Sequence, residues 1–320
     1  MSLAAAPRPR VAVFTDETGW HTRRLQRALA QRGFEGRCVD LEQCRFETGG
    51  AGHGLAIPGF GRDLPVAAIV RGIAGGSLEQ VTKRLGILHA LRELGVPVYN
   101  DARAIERSVD KSMTSFLLQK EGVASPPAWA LEDEAQARRI LMREASAGHS
   151  LVLKPMFGSQ GRGLVRVGMV DGKSVPLPEL NAYGGLAYLQ RFVPQAASPG
   201  FDWRVLVVGG RAVAAMKRMS MHWVRNVAQG ARCVPCGLER GLADLAERAA
   251  AALDMDYAGV DLVPDALAPA GAQVIEVNGV AAWRGLQKVT RFDIAQALVD
   301  DLLHRRLGIA RLHQASSQAG

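Results

Sequence analysis

The chain has 320 residues, with 39 Lys and Arg against 31 Asp and Glu, a formal net charge of +8 and a hydrophobic fraction of 48%. This is the composition of an ordinary globular protein of two or three structural units. No apolar run is long enough to span a bilayer, the Met1–Arg10 segment lacks the apolar centre of a secretory signal, and four cysteines are too few for a disulfide framework, so a cytoplasmic chain is expected.

In chain order, Val11–Phe14 reads as a buried strand and Trp20–Gln31 as a helix stopped by Gly33. Strands near Arg37–Leu41, Val66–Val70 and Val96–Tyr99 follow, with a glycine-rich loop over Thr48–Gly61 and a helix over Leu78–Leu94 between them. This alternation predicts a parallel α/β unit over residues 1–99. Asn100–Gly122 is helical, with Asp110-Lys111 opening its second run, and Pro126-Pro127 breaks the chain before a helix over Glu132–Ala147.

The next part reads as antiparallel. Leu151–Pro155 and Gly163–Val167 form a hairpin with a long glycine-rich tip, and Leu186–Val193 is a further strand. Asp202–Val208 and Ala212–Met216 make a second hairpin around a tight Gly209-Gly210 turn. Ala243–Leu253 is helical, two polar-bearing strands follow, and Phe292–Leu307 closes the fold as a helix. The expected organisation is 1–99, 100–185 and 186–310, with a disordered tail over 311–320.

Three features carry chemistry. Gly259-Val260-Asp261-Leu262-Val263 and Val274-Ile275-Glu276-Val277-Asn278 are short apolar runs bearing oxygen donors. Alternate strand residues share a face, so Glu276 and Asn278 point the same way, and pairing of the two runs adds Asp261. Three hard oxygen donors without thiol or imidazole suit Mg²⁺, with Mn²⁺ as the alternative ion. Upstream, Lys154 precedes Gly158-Ser159-Gln160-Gly161-Arg162-Gly163, a flexible tip whose amides can face an anion; it is not a Walker loop. Lys111 follows Asp110 at a helix start. Cys233-Val234-Pro235-Cys236 has no second pair to complete a zinc or redox site. The basic residues are scattered, which favours anionic small substrates over nucleic acid.

The order of these motifs resembles the ATP-grasp superfamily, and within it the RimK-type glutamate ligases. The resemblance rests on Asp110-Lys111, Lys154-Pro155 with its glycine loop, Gln190-Arg191-Phe192-Val193, Asp202-Trp203-Arg204, Arg218, Asn226, Gly259-Val260-Asp261 and Glu276-Val277-Asn278, together with Pro97-Val98-Tyr99-Asn100. It covers the chain from about Pro97 to the closing helix. The fold it implies is α/β (α+β), an ATP-grasp fold behind an N-terminal parallel α/β pre-ATP-grasp domain.

The activity it implies is ATP-dependent carboxylate–amine ligation through an acyl phosphate. Lys111 and Lys154 would then contact ATP phosphates, and the loop of Gly158, Ser159, Gln160, Gly161 and Gly163 would close over them. Gln190, Arg191, Phe192 and Val193 would form the adenine hinge, with Asp202 near the ribose. Asp261, Glu276 and Asn278 would hold Mg²⁺, and Arg204, Arg218 and Asn226 would face the γ-phosphate and the acyl phosphate.

Arg191 departs from the acidic residue common at the hinge. Gly279-Val280-Ala281-Ala282-Trp283-Arg284 replaces a proline–glycine turn, so Trp283 and Arg284 are candidates for shaping an acceptor pocket, with simple packing as the other reading of Trp283. The implied partners are L-glutamate and a small-molecule acceptor, a precursor of the tetrahydromethanopterin or methanofuran type, with a ribosomal or carrier protein tail as the alternative. Neither nucleic acid nor membrane is expected as a partner; homo-oligomers are frequent in the family. The rival from another class is a non-catalytic nucleotide- or nucleic-acid-binding protein, which a steep salt dependence of nucleic-acid affinity would reveal.

Overall fold

The computed structural model describes residues 7–50, 52–158, 160–195 and 197–309. The tail expected over 311–320 and the loop residue Ser159 lie outside the described residues. Two compact units emerge, residues 1–102 with 293–320, and residues 103–292.

The first unit is a parallel sheet of β1 (Arg10–Phe14), β2 (Glu35–Val39), β5 (Ala67–Val70) and β6 (Val98–Tyr99) in the order β2-β1-β5-β6; β3 (Arg45–Phe46) and β4 (Leu55–Ala56) form a separate small hairpin. Residues of β1 and β5 are almost all buried, as expected for parallel strands covered on both faces. Helices α1 (Trp20–Gln31) and α2 (Leu78–Glu93) pack with the sheet, and Ser77 caps α2 by accepting from the Gln80 amide. Gly33, at φ +80°, ends α1, and β2 starts two residues earlier than the apolar pattern suggests because the Glu35 amide already donates to Pro9 O. The closing helix α8 (Ile294–Asp301) packs on α1 in this unit. Arg32 donates to Asp300 in fork geometry at 2.8 and 2.8 Å, and Tyr99 Oη donates to Asp301 at 2.7 Å.

In the second unit α3 (Ala102–Val109) leads to α4 (Lys111–Lys120), and the Asp110 carboxylate caps α4 through the Ser112 and Met113 amides at 2.8 and 3.0 Å. One antiparallel sheet follows the order β10-β9-β8-β11-β7, from β7 (Ala128–Leu131), β8 (Leu151–Lys154), β9 (Val165–Val170), β10 (Lys173–Val175) and β11 (Ala187–Arg191). Its Leu151, Leu153, Val167 and Leu189 bury against Ala137 and Leu141 of α5 (Glu134–Ser146), which leaves Val152, Lys154 and Gln190 on the other face.

The second sheet has the order β14-β13-β12-β15-β16, from β12 (Gly200–Val208), β13 (Arg211–Ser220), β14 (Arg232–Pro235), β15 (Tyr257–Pro264) and β16 (Ala272–Asn278). Gly209 and Gly210 turn the β12–β13 hairpin with φ of +60° and +76°, the backbone a two-residue hairpin needs. Helix α6 (Arg240–Ala252) covers one face, where Leu242, Leu245 and Ala249 meet Val205, Val207, Val260, Leu262, Val274 and Val277. Strand alternation turns Asp202, Arg204, Asp261 and Glu276 to the opposite face. The short α7 (Arg284–Gln287) follows Trp283, which is 1% exposed and acts as a packing residue. Among the described residues no helix is long and apolar enough to cross a membrane.

Candidate active site

The two polar sheet faces of the second unit line one cleft of about 880 Å³, part of it open to solvent. Each wall is built by strand period. Val152 and Lys154 alternate with the buried Leu151 and Leu153 on one side. On the other, Asp261 pairs directly with Glu276, and Gly259 with Asn278, so the three oxygen-bearing residues share a face as their spacing suggests. A bulge between Asp261 and Leu262 places Ile275 in the lining beside Glu276, giving the cleft apolar as well as acidic surface.

Lys154 Nζ donates to Gln190 Oε1 at 2.6 Å, and Lys111 Nζ donates to the carbonyls of Met156 and Gly158, each at 3.1 Å. Burial pushes the Lys154 ammonium down to about 8, Glu276 opposes the shift, and Lys111 adds to it. Burial also lowers Lys111, again against the pull of Glu276 and Asp110. Glu276 itself makes no hydrogen bond or ion pair among the described residues. The site thus holds two crowded cations and one carboxylate with open coordination.

Behind them lies a buried ion-pair chain. Arg218 forks onto Asp202 at 2.7 and 2.9 Å and reaches Asp261 at 3.0 Å. Arg204 forks onto Asp261, its Nη2 at 2.7 Å and its Nε in close contact. Burial pushes the Asp261 carboxyl up, but the Arg204 and Arg218 guanidiniums overcome this and hold it below the usual carboxylate range. Asp202 has one such partner and the Asp261 charge beside it, and burial pushes it up to about 6. Burial disfavours the Arg218 charge, yet Asp261 and Asp202 together raise its pKa above the ordinary guanidinium value.

The glycine loop lies against the segment after β13. A Cβ on Gly161 would stand 2.5 Å from Asn226 Oδ1 and 2.6 Å from Val224 Cγ1, so only glycine permits this approach, at φ +71°. Gln229 Nε2 donates to Gln160 O at 3.3 Å, and Tyr183 Oη to Gly163 O at 3.1 Å.

Of the residues expected from sequence, the cleft is lined by Lys111, Lys154, Gly158, Gln160, Gly161, Gln190, Arg191, Phe192, Val193, Asp202, Arg218, Asn226, Asp261 and Glu276. Gly163, Arg204 and Asn278 are not in that lining: Gly163 packs on Pro155, Arg204 is held by Asp261, and Asn278 Nδ2 donates to Gly259 O at 3.1 Å. The Arg191 side chain pairs with Glu144 of α5 at 2.7 Å, which accounts for a basic residue at this strand end. Sequence reasoning missed Trp223, Val224 and Arg225, which line the cleft just before Asn226, and the apolar Val152, Leu164, Val263 and Ile275. Val263 was available from its place two residues after Asp261.

Cys233 and Cys236 are free; Cys233 lies in β14 paired with Arg218, and Cys236, just past the strand, packs against the α6 core. Among the described residues no three His, Cys, Asp or Glu side chains group as metal ligands. The donors that fit Mg²⁺ are two carboxylates and an amide oxygen: Glu276 is unengaged, Asn278 spends only its NH₂ on Gly259, and Asp261 keeps a lone pair beyond its arginine bonds.

A family model described as a RimK-like ATP-grasp domain matches residues 108–302, and one described as a RimK PreATP-grasp domain matches residues 10–105. The chain is similar to the tetrahydromethanopterin:alpha-L-glutamate ligase of Methanococcus maripaludis, 34% identical over 242 residues, covering 74% of this chain and 78% of that one. It is also similar to the protein of the same name from Methanosarcina acetivorans, 30% identical over 303 residues, covering 85% and 91%. Among solved structures, the ATP-grasp ligase PsnB complexed with minimal precursor, Mg and ADP superposes with a TM-score of 0.68 at 20% identity, covering 93% of this chain and 98% of that one. A RimK domain ATP-grasp protein from Sphaerobacter thermophilus superposes with a TM-score of 0.63 at 21% identity, covering 91% and 98%.

Proposed function

The chain belongs to the RimK-like ATP-grasp family and is an ATP-dependent ligase, and from that premise we propose that it joins L-glutamate by an amide bond to a pterin-type cofactor precursor. ATP-grasp ligases use ATP and Mg²⁺, and the PsnB complex holds Mg and ADP. Glutamate and the pterin acceptor are taken from the names of relatives 34% and 30% identical to this chain. The observation that carries the reading is the cleft itself, where Lys111, Lys154, the unengaged Glu276, Arg218 and Asn226 converge beside a glycine loop.

In this reading Lys111 and Lys154 neutralise the triphosphate, which needs charge and alignment more than covalent help. The base lies between the hinge residues Gln190–Val193 and the apolar Val152, Leu164, Val263 and Ile275. A carboxylate oxygen attacks the γ-phosphorus and ADP leaves. The amine nitrogen then attacks the acyl carbon, phosphate departs with the electrons of the C–O bond, and the nitrogen sheds a proton. Arg218 and Asn226 face the phosphoryl group as it moves, and the loop from Gly158 to Gly163 keeps water from the acyl phosphate. Glu276, Asp261 and Asn278 would hold Mg²⁺, which supplies charge neutralisation when bound; Mn²⁺ is the substitute ion. The chain is assigned to the cytoplasm.

The test is phosphate release from Mg-ATP by purified protein, with L-glutamate alone and with pterin-type, furan-type and peptide acceptors. Release is expected only when glutamate and a pterin-type acceptor are both present. Release with a peptide tail instead would replace the acceptor, and release with no combination would overturn the reading.

The pH profile offers an independent check. Lys154 must be charged to meet the triphosphate, and its ammonium is depressed to about 8. The kcat/KM for ATP is therefore expected to fall as pH rises through about 8. In the Lys154→Arg variant, whose guanidinium stays charged, that limb should move upward. An alkaline limb unchanged by this substitution would remove Lys154 from the profile.

A further inference from the structure

Arg225 was not foreseen from the sequence, and neither the metal site nor the ion-pair chain uses it. It lines the cleft, and its Nε is buried without a hydrogen-bond partner. The two acids beside it are already engaged, Asp202 by the Arg218 fork and Asp261 by Arg204 and Arg218. Three guanidiniums thus face two carboxylates, and Arg225 is the cation left over. A half-buried cation whose buried Nε has no partner costs free energy unless something else meets it.

The chain also makes room for this side chain. Gly200 begins β12 with ordinary strand backbone, so nothing in its conformation requires glycine. What requires glycine is space. A Cβ at this position would stand 2.3 Å from Arg225 Nη2 and 3.0 Å from its Cζ. The guanidinium therefore lies where a side chain of residue 200 would be. Arg225 is electrostatically close to Asp202 and Arg218, whereas the lysines gather around Glu276.

We infer that Arg225, seated in the space that Gly200 leaves open, is an anion-recognition residue of this cleft and receives an oxyanion of a substrate. The recognised chemistry is a carboxylate or phosphate oxygen pair that matches the guanidinium fork. Its source is either a nucleotide phosphate or the carboxylate of the acid partner. The inference rests on the ligase reading only for the identity of those substrates.

The test is equilibrium titration of the full chain with Mg-ATP and, separately, with L-glutamate, for wild type, Arg225→Met, Arg225→Lys, Gly200→Ala and the Gly200→Ala/Arg225→Met double variant. Gly200→Ala meets only the flexible ends of two side chains, Arg225 and, at 2.9 Å, Gln195, so it folds while moving the guanidinium. A charge-assisted hydrogen bond lost in both Arg225→Met and Gly200→Ala should raise one dissociation constant by about 10- to 100-fold. Arg225→Lys should fall between wild type and Arg225→Met, and the double variant should bind no worse than Arg225→Met. A weakened Mg-ATP constant assigns the oxyanion to the nucleotide, and a weakened glutamate constant assigns it to the acid partner. Unchanged constants for both ligands, or a loss in Arg225→Met that Gly200→Ala does not reproduce, would overturn the inference. So would a wild-type chain that binds neither ligand. A wild type that binds both and turns over nothing fails the ligase reading alone.

Discussion

Lys154→Met and Glu276→Ala are each expected to lower kcat by about 10²- to 10³-fold or more, with the fold retained. The two side chains meet the same event from opposite signs. Lys154 is a desolvated cation whose ammonium sits at about 8, and Glu276 is the carboxylate that opposes that shift. Neither is needed to hold the strands, since Leu151 and Leu153 of β8, and Val274 and Val277 of β16, supply the buried contacts. Lys154→Met should in fact stabilise the free protein below pH 8. With its folded pKa depressed, this lysine binds protons better in the unfolded chain between about 8 and its ordinary value, so its cost is fully present below pH 8 and fades as pH rises. Glu276→Ala should do the reverse to a small degree, because it leaves Lys111 and Lys154 together without their counter-charge. Steady-state kinetics with thermal melts at pH 7 and pH 9 decide the matter. Near-normal turnover in both variants would sink the ligase reading, and a melt lost in Lys154→Met would show that the residue is structural.

The parts of this site that lie within one strand or one hairpin were legible in the sequence. Glu276 and Asn278 share a face by period two, and the Gly209-Gly210 turn dictates that β12 and β13 are neighbours. What escaped was set by pairing between distant segments. Asp202 and Arg218 face each other because β13 runs on through Lys217-Arg218-Met219-Ser220, a polar stretch with no strand signal of its own. The Arg204–Asp261 fork follows from the register of β12 on β15, between partners 57 positions apart. Arg191 reads as an anomaly until Glu144 of α5 is placed beside it. Strand β7 is only four residues long, directly after Pro126-Pro127, and exists as the edge partner of β11. Arg225 has the least local signal, since its position depends on a glycine 25 residues earlier that looks like any loop glycine.

The ion-pair chain makes the other large prediction. Asp261→Ala is expected to destabilise the protein by about 3–5 kcal/mol and to abolish turnover, because it strands the buried Arg204 and removes one partner of Arg218. Asp202→Asn should cost only about 1 kcal/mol at pH 7. The contrast follows from the opposite directions in which the two carboxyls are displaced. Asp261 is held below the ordinary range, so its contribution is present above the unfolded-state pKa and is lost as pH falls through the lower folded value. Asp202 is raised to about 6, so the folded chain binds its proton more tightly than the unfolded chain does, and stability falls as pH rises from the ordinary carboxylate value through 6. By pH 7 the Asp202 charge is already under strain, and the neutral amide relieves it while keeping an acceptor for Arg218. Denaturant melts of wild type, Asp261→Ala and Asp202→Asn at pH 5 and pH 7 measure both effects. Asp202→Asn should close its gap to wild type on going from pH 5 to pH 7, whereas Asp261→Ala should stay far below it at both. Equal losses for the two variants at pH 7 would mean that Asp202 and Asp261 share the arginine charge evenly, and that the asymmetry derived from one guanidinium on Asp202 and two on Asp261 does not govern this network.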